Sequence, residues 1–141
     1  MRLAGGKHSD HDGSARWWSP ARGVFCAEVS GHYGMAAVQL MFEGFHAVIA
    51  DSDTAGDVVG IHSFHDLAAV KSYDSAARVA YTEQSKPLIH RFEGVEMLFS
   101  SRLIAMSIEV ANIVLGGKLK GTTDRAAFER RRDDVIAARM R

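Results

Sequence analysis

Apolar residues change their period several times along this chain, and that alternation constrains the fold more than any single motif. From residue 35 onward Val38, Met41, Phe42, Phe45, Val48 and Ile49 recur in steps of three and four, the stripe of an amphipathic helix. Ahead of them, the runs 15–18 and 24–30 are separated by Ser-Pro-Ala-Arg-Gly, whose proline and glycine suit a chain reversal, so this part reads as a β-hairpin. The small polar stretch 51–57 makes a helix exit and loop, and 58–65, β-branched and aromatic, makes a strand ending near Asp66. A helix capped by Ser72 or Asp74 follows through Arg78, Val79 and Thr82, and Pro87 kinks or divides it. A strand over 95–99 then leads to an apolar helix over 103–115, stopped by Gly116 and Gly117. An edge strand over 118–122, its lysines discouraging further pairing, and a helix over 125–140 with a narrow apolar face of Phe128, Val135 and Ile136 complete the chain. The order β-β-α-β-α-β-α-β-α predicts an α/β fold, a mostly parallel sheet with right-handed crossovers opened by an antiparallel hairpin.

Composition bounds the rest. At 141 residues there is room for one domain, and 47% hydrophobic residues against 24% charged suffice for a real core. Seventeen Lys and Arg cancel seventeen Asp and Glu, which removes the basic signature of a nucleic-acid partner. The charge is uneven: residues 1–77 hold 5 basic and 9 acidic groups and 78–141 hold 12 and 8, a pattern suited to a homodimer or a polar partner surface. The lone Cys26 excludes an intramolecular disulfide and thiolate-rich zinc sites, and it points to a reducing, cytoplasmic compartment. The longest apolar-rich run, 103–115, includes Glu109 and Asn112 and falls short of the roughly 20 residues that a bilayer span needs. Residues 1–14 carry Lys7, His8, Asp10, His11 and Asp12 among glycines, with no apolar core of a signal peptide, and read as a flexible arm ahead of a domain over 15–141.

The segment 66–77, Asp-Leu-Ala-Ala-Val-Lys-Ser-Tyr-Asp-Ser-Ala-Ala, resembles the strand-to-helix junction of STAS domains, whose pattern is roughly D-L-S-x-V-x-x-hydrophobic-D-S-S/T-G. The run 95–101, Val-Glu-Met-Leu-Phe-Ser-Ser, the helix over 103–115, the strand over 118–122 and the helix after Asp124 follow the order of the bacterial SpoIIAA-like, or STAS/SEC14-type, domains, so the resemblance covers about residues 15–136. It implies a four- to five-stranded sheet covered by about four helices. It also implies a non-enzymatic regulatory or scaffolding module that binds a protein partner or a small apolar ligand. In the anti-sigma-antagonist branch a serine or threonine at the start of this helix is phosphorylated, and the added charge switches partner binding. Here that position falls on Ala76 and the motif glycine is Ala77, which leaves Ser75, or else Ser72, as acceptor. Serine and aspartate ahead of a helix are also ordinary caps. The implied contact surface comprises Ser72, Asp74, Ser75 and Arg78. Ser100, Ser101 and Arg102 join it at the next strand-to-helix junction, where open α/β sheets take ligands and an arginine can hold an acidic group.

Two other classes compete. A carrier or sensor of a lipid or other apolar ligand would use Met35, Met41, Phe42, Met97, Met106 and Ile108 around a cavity, although such residues at helical spacing also make ordinary core. A metal-dependent hydrolase would draw on His62, His65 and Asp66, but strand alternation sends His62 and His65 to opposite faces, and His65 and Asp66 likewise. No metal or other cofactor is therefore expected, and the His and Asp of the arm would pay ordering entropy to hold an ion. No G-x-S-x-G elbow surrounds Ser63, Ser100 or Ser101, and Gly116-Gly117 closes a helix where a phosphate loop would open one. Cys26, in an alternating strand with no basic neighbour, reads as packed and inert. Trp17 and Trp18 must face opposite ways, and the run from Arg130 to Asp134 reads as a solvated face.

Overall fold

In the computed structural model, which describes Leu3 and residues 5–56 and 60–140, two parallel strands, β3 (Val24–Tyr33) and β4 (Ile61–Tyr73), run through the centre of a six-stranded sheet. Residues 24–27 and 61–65 are buried without alternation, because helices cover both faces of these strands. On the first side, β2 (Gly13–Trp18) pairs antiparallel with β3, and β1 (Gly6–Ser9) pairs antiparallel with β2. On the other side, β5 (Phe92–Leu98) and β6 (Leu119–Thr122) continue the parallel half, giving the spatial order β1-β2-β3-β4-β5-β6. The helices α1 (Met35–Thr54), α2 (Ser75–Ser85), α3 (Arg102–Val114) and α4 (Arg125–Arg139) fill the connections and follow β6, with a short 3-10 turn at Ile89–Arg91 beyond Pro87.

The expected α/β architecture stands, and two boundaries move. Residues 6–9 form β1 instead of part of a flexible arm, because backbone pairing to 14–17 satisfies their polar groups. Strand β4 runs seven residues past Asp66, since β3 continues beside it and pairs His32 with Ser72 and Tyr33 with Tyr73. Of the strand expected over 58–65, residues 58 and 59 lie outside the described residues, as does residue 57.

One face carries the main core. Val38, Met41, Phe42, Phe45, Val48 and Ile49 of α1 are buried against Phe25, Ala27 and Val29 of β3, as their spacing predicts, and Ile104, Ile108 and Ala111 of α3 close the β5–β6 end. Gly44 sits in the interior of α1 for a reason the periodicity does not reveal. A Cβ there would come within 2.6 Å of the Phe25 ring and 2.7 Å of the Trp17 ring, so glycine lets the helix lie directly on the stacked Trp17–Phe25 pair. Trp18 turns the other way, toward the α4 face, with Arg16 over its ring.

The opposite face is covered by α4 alone, and its apolar contact is small: Phe128 on Val24, Cys26, Phe64 and Leu98, with Val135 and Ile136 partly buried beside it. Three arginines complete the attachment. Arg125 pairs with Asp66 (2.9 Å), Arg131 grips Glu96 with two bonds (2.6 and 2.8 Å), and Arg139 bonds Glu93 and the Gly60 carbonyl (2.8 and 2.7 Å). Glu96 is nearly buried and also bonds His62 at 2.6 Å. Burial works against its charge, but the Arg131 and His62 hydrogen bonds outweigh it and hold its carboxyl below the ordinary value. The run from Arg130 to Asp134 is therefore a solvated face only in part, since Arg131 reaches back to the sheet.

Two expected outcomes test this packing. Gly44→Ala gains about 1 kcal/mol of helix propensity but overpacks two rings at a cost of about 1–3 kcal/mol, so urea titration is expected to show net destabilisation. Glu96→Ala removes the acceptor of Arg131 and His62 and is expected to cost about 1–3 kcal/mol, read in the same titration, whereas Glu83→Ala on exposed α2 costs almost nothing.

Candidate functional site

The sheet ends unevenly at the carboxyl edge of its parallel strands. Strand β5 stops at Leu98, opposite Asp66, while β4 continues beside β3 to Tyr73. The chain then enters α2 through Asp74, with Ser75 as the first helical residue, and Ser72, Asp74 and Ser75 are all exposed. The β3–β4 register brings His32 across from Ser72, and its ring joins two of the expected contact residues. His32 Nδ1 lies 2.7 Å from Ser72 Oγ, and Nε2 lies 2.8 Å from Asp74 Oδ1.

This bridge changes the role of Asp74. It stands at the N-cap of α2 in extended conformation, yet its side chain makes no cap hydrogen bond, because the carboxylate is turned to His32. The first-turn N–H groups of α2 thus keep no side-chain partner, and the partial positive charge of the helix end stays open to solvent. Of the other helices, α1 starts at Gly34, which has no side chain to cap with, while Ser101 accepts from Leu103 N–H at the start of α3 and Asp124 from Ala127 N–H at the start of α4.

Ser72 and Asp74 on one imidazole invite comparison with a nucleophile–base pair, but both are exposed side chains, and the apolar cleft beside α2 is lined by neither Ser72 nor His32.

Between α2 and α3 opens an apolar cleft of about 80 Å3, walled by Tyr33, Tyr73, Arg78, Tyr81, Met97 and Ile104 among others, with His65 at its floor. Burial pushes both phenols, Tyr33 and Tyr81, well above their ordinary range and drives the His65 imidazole down to about 3. Apart from Arg78, the lining is therefore uncharged at neutral pH. Its volume is a few waters' worth, against about 300–1,000 Å3 for sites that enclose a drug-sized ligand. That space matches one inserted side chain.

The residues singled out from the sequence separate into three groups. Ser72, Asp74, Ser75 and Arg78 gather at the start of α2, with Arg78 on the rim of the cleft. Ser100, Ser101 and Arg102 stand at the α3 start, where Ser100 bonds the Ala68 carbonyl (2.6 Å) and Ser101 caps the helix. Among the described residues no hydrogen bond joins these two groups, and α3 shares only the cleft with Arg78. Of the four expected cavity residues, Met97 lines the cleft and Phe42 a second, smaller cavity, while Met41 is core and Met106 is 63% exposed on the outside of α3. Met35 is also at the surface, and Ile108 does reach the cleft. His32 was missed, because only strand register links residue 32 to residues 72 and 74.

The metal readings resolve in the same geometry. His62 stacks on Phe64 beneath α4, whereas His65 packs among Phe25 and Phe45 on the other face, as alternation predicts. Asp10, His11 and Asp12 cluster at the β1–β2 turn, where Asp10 Oδ1 accepts from the backbone of Asp12 and Gly13, a local turn function. The Cys26 thiol is buried and pushed up to about 12 by that burial, so it is inert. Among the described residues no helix is long and apolar enough to cross a membrane.

No protein-family model matches the chain, and no curated protein matches it in sequence. An uncharacterised protein with a SpoIIAA-like fold from Shewanella loihica is similar in structure, with a TM-score of 0.55 and 16% identity over 96% of this chain and 95% of that one. An anti-sigma factor antagonist from Mycobacterium paratuberculosis matches with a TM-score of 0.49 and 20% identity over 100% of this chain and 94% of that one. The first of these likenesses shows the fold: the chain has a SpoIIAA-like architecture, the one that the 66–77 segment implied.

His65 supplies a pH test. The folded state takes no proton there until about pH 3, while the unfolded chain takes one near 6.5, so between those values the unfolded state binds more protons and stability falls as pH falls. Urea titration from pH 6.5 to 5 is expected to show a loss of about 2 kcal/mol from this group, absent in His65→Gln.

Proposed function

We propose that this chain is a non-enzymatic regulatory or scaffolding module that binds a protein partner through the first turn of α2. The observation that carries the reading is the diversion of Asp74 to His32, which leaves the α2 N-terminus uncapped on an exposed surface. Free N–H groups, the helix dipole and Arg78 together suit a carboxylate offered by the partner. The apolar cleft beside them takes one side chain of the same partner, and Ser100, Ser101 and Arg102 form the outer contact.

Ser75 is the switch in this reading. Its hydroxyl is exposed and makes no hydrogen bond among the described residues, whereas Ser72 is already engaged by His32. A phosphate on Ser75 would occupy the free N–H groups itself and repel an acidic partner residue. The fold supports an interaction module. The size of the cleft weighs against an apolar carrier, and the lone buried Cys26 suits a reducing, cytoplasmic setting.

Affinity capture with the full chain tests the reading. Ser75→Ala is expected to retain the partner that the wild type captures, while Ser75→Asp and Arg78→Glu each weaken it about tenfold or more. Equal capture by all three variants overturns it.

A further inference from the structure

Helix α3 is apolar on both sides. Ile104, Ile108 and Ala111 face the sheet, and Leu103, Met106, Val110, Ile113 and Val114 face solvent, with Ile113 85% exposed. Elsewhere among the described residues, large exposed apolar side chains occur singly, at Met35, Val79 and Met140. The five on α3 together show roughly 500 Å2, which matches the largest, often functional, patch of a typical monomer. Their order is regular. Leu103, Met106, Val110 and Ile113 are spaced three, four and three, the seam of a two-helix coiled coil.

We propose that this stripe pairs antiparallel with α3 of a second copy of the chain, about a two-fold axis crossing the seam between Met106 and Val110. Leu103 of each copy then packs on Ile113 of the other, and Met106 on Val110, so every seam residue has an apolar partner. Three observations favour a second copy. The same patch is buried twice, giving about 1,000 Å2 of apolar surface, the minimum that a specific interface should clear and the size of a weak, reversible dimer. Arg102, at the N-terminal end, comes to the last turn of the other α3, where free carbonyls carry partial negative charge. Gly116 and Gly117 just beyond that turn have no neighbours within 4 Å of where a Cβ would stand, so that end is open to approach. The formal net charge of zero leaves no overall repulsion between copies. This stripe lies apart from the first turn of α2 and shares only Arg102 with the outer contact proposed above, so failure of either assignment leaves the defining residues of the other in place.

The antiparallel geometry has a signature: Glu109 of the two copies meet at the axis, a like-charge contact. Sedimentation equilibrium of the full chain is expected to show a concentration-dependent species of twice 15.4 kDa. Ile113→Glu is expected to weaken it about tenfold or more, with the urea midpoint of the wild type when both are diluted to monomer, since that side chain is already in water in the monomer. Glu109→Lys provides the geometric test, because a mixture with wild type places unlike charges at the axis. Native mass spectrometry of an equal mixture is expected to show mixed dimers well above the statistical share of about one half. A wild-type chain that stays monomeric to about millimolar, leaving the stripe to a helix of some other protein, overturns the proposal. So does a dimer that Ile113→Glu leaves intact, or a mixture at the statistical share.

Discussion

The parallel pairing of β3 with β4 is the constraint on which everything else rests. It buries 24–27 and 61–65 from both sides, which obliges helices to cover both faces. It also continues past the end of β5, so a two-stranded tongue carries His32, Ser72 and Asp74 to the carboxyl edge in one register. A slip of one residue would turn every side chain of β4 to the opposite face. The His32 bridge would be lost, and His62 and His65 would exchange faces.

The two faces are held by different physics. Helices α1 to α3 rest on a continuous apolar core, in which an aromatic cluster of Phe25, Phe42, Phe45 and Phe92 leaves so little space that α1 needs a glycine at 44. Helix α4 has one fully buried aromatic residue and relies on three arginines reaching sheet carboxylates. Exposed ion pairs contribute little, but Glu96 is largely removed from water, and its two partners compensate a charge that would otherwise be costly to bury. Part of the opposite charge of the two halves of the sequence is thus spent inside the molecule, where Asp66 meets Arg125 and Asp53 meets Arg91.

At the candidate site the decisive event is competition for one carboxylate. Asp74 stands where an aspartate ordinarily closes a helix end, and a histidine from a neighbouring strand takes it instead. What a cap would conceal is left available: oriented N–H groups, the helix dipole and an unengaged serine. Inside the rim formed by Arg78 the apolar cleft is neutral, because its phenols are un-ionised at neutral pH and burial keeps the His65 imidazole unprotonated. A cation and an anion-receptive helix end therefore border a surface that takes an apolar side chain.

The amino-acid sequence by itself determined the class of fold, because the changes of period at α1, α3 and the hairpin are local and each demands one face toward a core. It determined also that His62 and His65 part company across the sheet, since alternation is a property of the strand alone, and its resemblance over 66–77 marked the junction into α2, although the strand there runs seven residues past the expected end at Asp66. Local patterning did not reveal β1, whose lysine, histidine and glycine become a strand only because β2 offers an edge. Nor did it show that Met106 faces water while Ile108 faces the core, as an α3 apolar all round has no sidedness until the sheet is in place. Only the tertiary structure decided that Asp74 would serve His32 instead of its own helix. The two residues are 42 apart, and nothing short of the β3–β4 register brings a donor to that carboxylate.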